Sequence, residues 1–359
     1  MNVIDSPAAV RPGEELDLGA LASYLREHLP AAGLEVPSDA VLAVEQFPAG
    51  WSNLTYLLAF GPHELVLRRP PFGNLVASAH DMGREFRVLS ALAPVWPLAP
   101  RPYLLCADGA VLGAPFYVMQ RVRGLILRRQ PPDGFELTPV RARALSEALI
   151  DGLAALHRVD YAAAGLADLG RPEGYARRQV EGWVKRYFDA KTDLHPALEA
   201  AADELRQRVP PESGAALLHN DYKYDNLVLD PGDPTEIRAV LDWEMATVGD
   251  PLFDLGTTLG YWVEAGDPAE LRAFAMGPTA APGSLTRRQL AERYAAATGA
   301  DLGDLAFHHA FGLLKLAVIV QQIYARWKTG KTEDPRFARL DRAVGLLGET
   351  SRAALARRL

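Results

Sequence analysis

The stretch that decides the fold is His219-Asn220-Asp221-Tyr222-Lys223-Tyr224-Asp225-Asn226. It continues through the apolar run Leu227–Leu229, the turn Pro231-Gly232-Asp233-Pro234 and the run Ile237–Leu241 to Asp242-Trp243-Glu244. Two short apolar runs around a Pro-Gly-Asp-Pro turn predict an antiparallel hairpin. In such a hairpin the start of the first strand lies beside the end of the second. Asn226 and Asp242, sixteen positions apart, are therefore expected as neighbours, with Asp221 just before the hairpin on the same edge. Two carboxylates and an amide oxygen on one edge are hard ligands. They suit Mg2+, which takes one or two carboxylates together with substrate phosphates. One carboxylate, Asp221, then remains to accept a proton from an attacking hydroxyl. The plainer alternative is an Asp/Asn-rich surface loop satisfying its own backbone. It does not account for a hairpin and a terminal aspartate following at the right place.

Outward toward the N-terminus, Leu18, Leu21, Leu25 and Leu29 share one face of a helix over 17–29. Val41–Phe47, Leu54–Phe60 and Glu64–Arg69 are β-rich runs separated by turns, which predicts a three-stranded antiparallel meander. A helix is expected near 77–93, where Ala79, Met82, Phe86, Leu89 and Ala93 recur three and four apart. Two more strands, Tyr103–Ala107 and Pro115–Val122, complete a small lobe. From about 138 the chain reads as helical, over 139–157, 173–189, 196–208, 286–297, 303–327 and 336–357. The expected organisation is an N-terminal helical extension over 1–38, a β-rich lobe over 39–122 and a helical lobe over 123–359. No internal repeat is evident.

At 359 residues the chain suits two lobes rather than one core. Its net charge of −7 argues against nucleic acid or an anionic membrane as the main partner, since neither offers an acidic chain a gain from counterion release. The single cysteine, Cys106, cannot form an internal disulfide and reads as a buried structural thiol in a reducing compartment. The N-terminal residues lack the apolar core of a signal peptide. The most apolar run, Ala310–Val320, contains Lys315 and is shorter than the roughly 20 residues that span a bilayer. A cytoplasmic protein with no nucleic acid and no membrane partner is expected.

The spacing H-x-D-x-x-x-x-N with a strand-terminal aspartate resembles the catalytic loop and metal-binding aspartate of kinases. The Leu241-Asp242-Trp243-Glu244 form is similar to the aminoglycoside phosphotransferase/choline kinase superfamily. Within it, the chain resembles the phosphotransferase-like proteins related to the kinase domain of some acyl-CoA dehydrogenases, over roughly residues 40–330. That resemblance implies an α+β, protein-kinase-like two-lobed fold, with a small antiparallel β-sheet lobe carrying one helix and a larger, mainly helical lobe. It implies an enzyme that moves a phosphoryl group from ATP, with Mg2+, to a small hydroxylated molecule. Asp221 would be the catalytic base and Lys223 would neutralise the γ-phosphate, while Asn226 and Asp242 would hold the metal. Arg68 would be the phosphate-binding cation and Glu85 its helix partner. Ser52 and Asn53, in the turn Gly50-Trp51-Ser52-Asn53, would cover the phosphates. The backbone of the strand Phe116–Val122, at Gln120 and Val122, would meet adenine. Asp254 would brace the catalytic loop.

Three features depart from the family pattern. Arg68 stands where lysine is usual, and a planar fork is not interchangeable with a point charge. The covering turn has one glycine. Only twelve positions separate Asp242 from Asp254, too few for the segment with which protein kinases hold a polypeptide, which favours a small acceptor. His219 reads as a packed histidine that shapes the loop, and the adjacent His308 and His309 diverge by about 100° on a helix and cannot share a metal. Asp250 reads as a turn residue. Glu244 reads equally as a partner of the site or as solvated. For Tyr175, Arg178, Trp183, Tyr261, Trp262 and Arg326, an acceptor pocket and ordinary packing are equal readings. The rival function is an inactive, nucleotide-binding scaffold or sensor. Intact Asp221, Lys223, Asn226 and Asp242 count against it, and Arg68 counts for it. An aminoglycoside site should be strongly acidic, and no such cluster stands out; the fused relatives suggest a hydroxyacyl thioester by association alone.

Overall fold

Strands β1 (Leu42–Gln46), β2 (Leu54–Phe60) and β3 (His63–Arg69) form the expected antiparallel meander in the computed structural model, which describes residues 4–48, 53–72, 81–332 and 334–356. Strands β4 (Pro102–Cys106) and β5 (Phe116–Gln120) complete an antiparallel sheet of order β1-β2-β3-β5-β4. Near the N-terminus, Ala8 exchanges two backbone hydrogen bonds of 2.8 Å with Gln46, on β1.

The two-residue period of the strands sorts their side chains onto two faces. Tyr56, Leu58, Phe60, Leu65, Leu67, Phe116 and Val118 point to one face and pack with Leu21, Leu25 and Leu29 of helix α1 (Leu18–His28). Val66, Tyr117 and Met119 point to the other and join the buried stripe of helix α2 (Met82–Leu92). Arg68 shares the face of Val66, and so looks into the molecule rather than toward α1. Asp81 caps α2 by accepting the amide of Arg84, so the helix starts at Met82 rather than at 77. The Ala79 of the expected helix lies outside the described residues. Glu85 is buried on the stripe with Met82, Val88, Leu89 and Leu92.

Beyond residue 138 come α3 (Pro139–His157), α4 (Tyr175–Ala190) and α5 (Pro196–Gln207). Strand β6 (Ala216–Leu218) pairs with β9 (Thr247–Gly249), and between them β7 (Leu227–Leu229) pairs with β8 (Ile237–Val240). Then follow α6 (Pro251–Tyr261), α7 (Ala269–Ala273), α8 (Arg287–Thr298), α9 (Leu305–Lys328) and α10 (Leu340–Ala356). Four of these depart from expectation, among them α7, a five-residue helix that the sequence reading does not have. The sequence reading has no α6, because Leu252 through Gly260 are buried on every side and leave no amphipathic period to detect. It likewise has no β9, which is three residues long. The helix expected over 336–357 opens with a 3-10 turn at Pro335–Arg339, and α10 proper starts at Leu340.

Helices α6 and α9 touch backbone to backbone. A Cβ on Gly312 would lie 2.1 Å from the Gly256 oxygen, and one on Gly256 would lie 2.2 Å from the His308 oxygen. Residues with no side chain are what permit that approach. Helix α9 runs well past the apolar run Ala310–Val320. At 24 residues it is long and apolar enough to cross a membrane, yet 78% of its most apolar window is buried inside the molecule.

Candidate active site

The hairpin places the predicted residues together. Leu227 faces Val240, and the Asn226 backbone carbonyl accepts the Leu241 amide at 2.8 Å, so Asn226 stands beside the strand end that leads into Asp242. Asn220 (φ 65°) and Asp242 (φ 68°) are the two non-glycine residues with positive φ among the described residues. Such a backbone costs on the order of 1–2 kcal/mol and persists where surrounding bonds over-determine it. Both flank the site.

The bonds that hold Asn220 are explicit. The Asp254 carboxylate accepts the amides of His219 (2.7 Å) and Asn220 (2.8 Å). Lys315 donates from α9 to the Asn220 carbonyl at 2.7 Å, and the Asn220 side chain donates to the Met245 carbonyl at 3.2 Å. Burial pushes the Asp254 carboxyl up, but the hydrogen bond from His157 Nε2 (3.1 Å) and nearby positive charge bring it below its ordinary value. Burial pushes the Lys315 ammonium down to about 8. Burial lowers the His219 pKa, and the ring is neutral because one of its nitrogens accepts a backbone amide. Its Nε2–H donates to the Leu241 carbonyl at 2.9 Å, and its Nδ1 accepts the Asp221 amide at 3.2 Å. It shapes the loop, as the sequence suggests.

Asp221 has both oxygens engaged. Oδ2 accepts from Lys223 Nζ and from Asn226 Nδ2 (2.9 Å), and Oδ1 accepts the Tyr261 hydroxyl (2.5 Å). Burial raises the Asp221 pKa, but the Lys223 charge and these donors bring it below the usual carboxylate range. The same pair raises Lys223 against its own burial. Asn226 also donates to the Asp221 carbonyl at 2.8 Å, so its amide nitrogen faces Asp221 and its Oδ1 is turned away from it.

From the sheet, Arg68 Nη2 meets Asp242 Oδ1 at 2.9 Å, and its Nη1 lies 3.5 Å from Glu85 Oε1. Glu85 Oε1 also accepts the Trp243 amide at 3.1 Å. Burial pushes the Glu85 carboxyl up, against the pull of Arg68. Asn53 donates to Glu244 Oε2 at 2.9 Å, which ties Asn53 to the residues after Asp242 and makes Glu244 a partner of the site rather than a solvated side chain. Gly50, Trp51 and Ser52 lie outside the described residues. At the expected adenine edge, Gln120 is committed elsewhere: its amide donates to the Arg101 carbonyl (2.8 Å) and its side chain accepts the Arg101 amide. Val122 packs instead with Ile126, Val228 and Ala239 in a small apolar group of its own.

Sequence reasoning gives Thr258, Lys315 and Tyr261 no assigned place in the site. Thr258 donates to the Tyr222 carbonyl at 3.2 Å. Asp254, Thr258 and Tyr261 stand at i, i+4 and i+7 of α6, one helical face, and all three bond the loop over 219–222. That spacing is the signal that would find Thr258 and Tyr261 once Asp254 is in hand. Asp250 is more than a turn residue: it caps α6 through the Leu252 amide and accepts from Ser213. Of the remaining aromatic candidates, Tyr175 packs on Phe253, Trp183 is buried beneath Lys315, and Trp262 donates to the Leu285 carbonyl.

Residues 43–305 match the sequence model of the phosphotransferase enzyme family. Acyl-CoA dehydrogenase family member 11 of Rattus norvegicus is 33% identical over 355 residues, 98% of this chain; the chain spans 44% of that relative's length. A crystal structure from Ralstonia eutropha, assigned to the aminoglycoside phosphotransferases, is 32% identical and covers 95% of this chain and 99% of its own, with a TM-score of 0.78. Spectinomycin phosphotransferase, solved with ADP and spectinomycin, shares the fold at 12% identity and a TM-score of 0.59, over 96% of this chain and 99% of its own. The two-lobed architecture is thus that of the kinase-like phosphotransferases.

Proposed function

We propose that this chain, which belongs to the phosphotransferase enzyme family, moves the γ-phosphoryl group of ATP to a hydroxyl of a small molecule with the help of Mg2+. One observation carries the reading. A carboxylate flanked by Lys223 and Asn226 stands on the hairpin edge whose other end, Asp242, is met by Arg68 from the sheet, 174 residues away in sequence. A base, two cations and hard oxygen ligands converge there, which is what phosphoryl transfer requires of a protein.

The donor set fits magnesium. The Asn226 oxygen, turned away from Asp221, and the Asp242 carboxylate are two hard ligands on adjacent backbone. A Mg2+ ion held by so few protein groups takes its remaining oxygens from phosphates and water, as this ion commonly does. When bound, it supplies charge neutralisation at the phosphate oxygens. The chain's own residues do the rest. Asp221 orients the acceptor hydroxyl and takes its proton as the acceptor oxygen bonds to the γ-phosphorus and the bond to the ADP oxygen breaks. Lys223 and Arg68 face the phosphate charge, and the backbone near Val122, over the Ile126/Val228/Ala239 group, receives the base. The ADP bound to spectinomycin phosphotransferase supports a nucleotide in this fold.

The Arg68–Asp242 pair favours a second reading, a nucleotide-binding scaffold, because it neutralises one metal ligand. Titration of ATP with and without Mg2+, followed by ADP release against a panel of hydroxylated metabolites, separates the two. Magnesium-dependent binding with acceptor-stimulated ADP release supports the kinase. Binding without turnover favours the scaffold, and absence of binding overturns both.

A further inference from the structure

An attacking hydroxyl must donate its hydrogen bond to a carboxylate oxygen of Asp221 before it can lose its proton there. In this structure one such hydroxyl donor is already in place. Oδ2 is occupied by two protein donors, Lys223 and Asn226, which leaves Oδ1 as the side open to an acceptor; a hydroxyl is bonded there at 2.5 Å, and it belongs to Tyr261. The chemistry of that contact is the one the reaction needs, an alcohol O–H donated to the base, with a phenol in place of the acceptor.

The position of Tyr261 suits a group that yields. It is the last residue of α6, and the chain after it leaves the helix at Trp262 in extended conformation (φ −84°, ψ 99°). Its ring lies 4.8 Å from the Lys223 ammonium and forms, with Lys223, Tyr224, Met276 and Gly277, the wall of a recess beside the base. Thr258 and Asp254, one and two turns earlier on the same face, hold backbone of the loop. Tyr261 alone of the three bonds the reacting side chain.

We propose that Tyr261 guards the base: its hydroxyl stands in for the acceptor hydroxyl on Asp221 and keeps water from being activated there until an acceptor displaces it. This rests on the phosphotransferase reading above. Water is the competitor that every such site faces, and exclusion of hydrolysis is a recognised use of site closure. In the reaction it blocks, the water oxygen bonds to the γ-phosphorus as the bond to the ADP oxygen breaks. The water proton passes to Asp221, and the products are ADP and inorganic phosphate.

The test needs no knowledge of the acceptor. Tyr261→Phe keeps the ring and removes the hydroxyl. Acceptor-free hydrolysis of Mg2+-ATP should rise on the order of tenfold, the weight of one hydrogen bond to a charged group. ATP affinity by calorimetry should stay within about twofold, since the ring and its packing remain. The double variant Tyr261→Phe/Asp221→Asn should lose the gain. Unchanged or slower hydrolysis at preserved ATP affinity overturns the guard, as does a gain that survives loss of Asp221. A wild-type protein that binds no ATP removes the phosphotransferase reading and the guard with it, and the binding arm tells that failure from the others.

Discussion

The two sides of the site are held by different physics. On the sheet side, Arg68 meets Asp242 through one charge-assisted hydrogen bond and Glu85 through charge at 3.5 Å, across elements brought together only by folding. On the helix side, the loop bearing Asp221 is fixed by directional hydrogen bonds from one face of α6, by Lys315 of α9 behind it and by His219 within it. A cluster of charges can exchange partners when a polyphosphate arrives, because Coulomb attraction has no strict angle. A backbone held at φ 65° by three separate donors and acceptors cannot. The sheet side is built to re-pair, and the helix side is built to stay.

The largest effect that bears on this contrast is at Asp221. Asp221→Ala should lower acceptor-dependent ADP release by on the order of 10²–10⁴, the usual weight of a general base, with ATP affinity changed no more than about threefold. Single-turnover assays and calorimetry on the same preparation read both quantities. Loss of ATP binding in a still-folded variant would mean that the base is also a nucleotide ligand, and the division between the two sides would not stand.

How much of this was legible follows from where each signal lives. The strands show because they are short β-rich runs bounded by turn residues; both faces of β3 are buried, so no polar–apolar alternation marks it. The hairpin shows because its turn residues are unmistakable, and with it come Asp221, Asn226 and Asp242. Helix α6 does not show, since burial on every side erases its period; Thr258 is hidden with it, and Tyr261 shows only as a pocket candidate that packing explains equally well. Lys315 is ninety-five positions from the carbonyl it holds, and a lysine inside an apolar run reads as a blemish until the loop is laid across it.

Acid should loosen the helix side, and the middle-sized effect tests that. His309, on α9, is buried with neither ring nitrogen hydrogen-bonded among the described residues, and burial pushes its pKa down to about 3. The unfolded chain takes up a proton near the ordinary value of about 6.5 and the folded chain does not, so stability rises with pH between the two values. Lowering the pH from 7.5 to 5 should therefore cost about 2 kcal/mol through this one residue. His309→Leu should remove that share, narrowing the difference between urea midpoints at the two pH values. An unchanged difference would place the acid sensitivity elsewhere.

The smallest effect is the sharpest probe of the sheet side. The Arg68 fork spans two carboxylates, 2.9 Å to Asp242 and 3.5 Å to Glu85, and a lysine there has one point of charge for both. If the side works by charge, Arg68→Lys should alter Mg2+-ATP affinity by about threefold or less, because the cation remains and the phosphates can choose a new partner. Arg68→Met should cost about tenfold or more, as one charge-assisted contact is lost outright. Titration calorimetry of the two variants at one ionic strength gives both numbers. If lysine costs as much as methionine, the planar fork itself is required. The sheet side would then be as bound to geometry as the loop that α6 holds, and nucleotide binding would have to preserve the Arg68 contacts rather than exchange them.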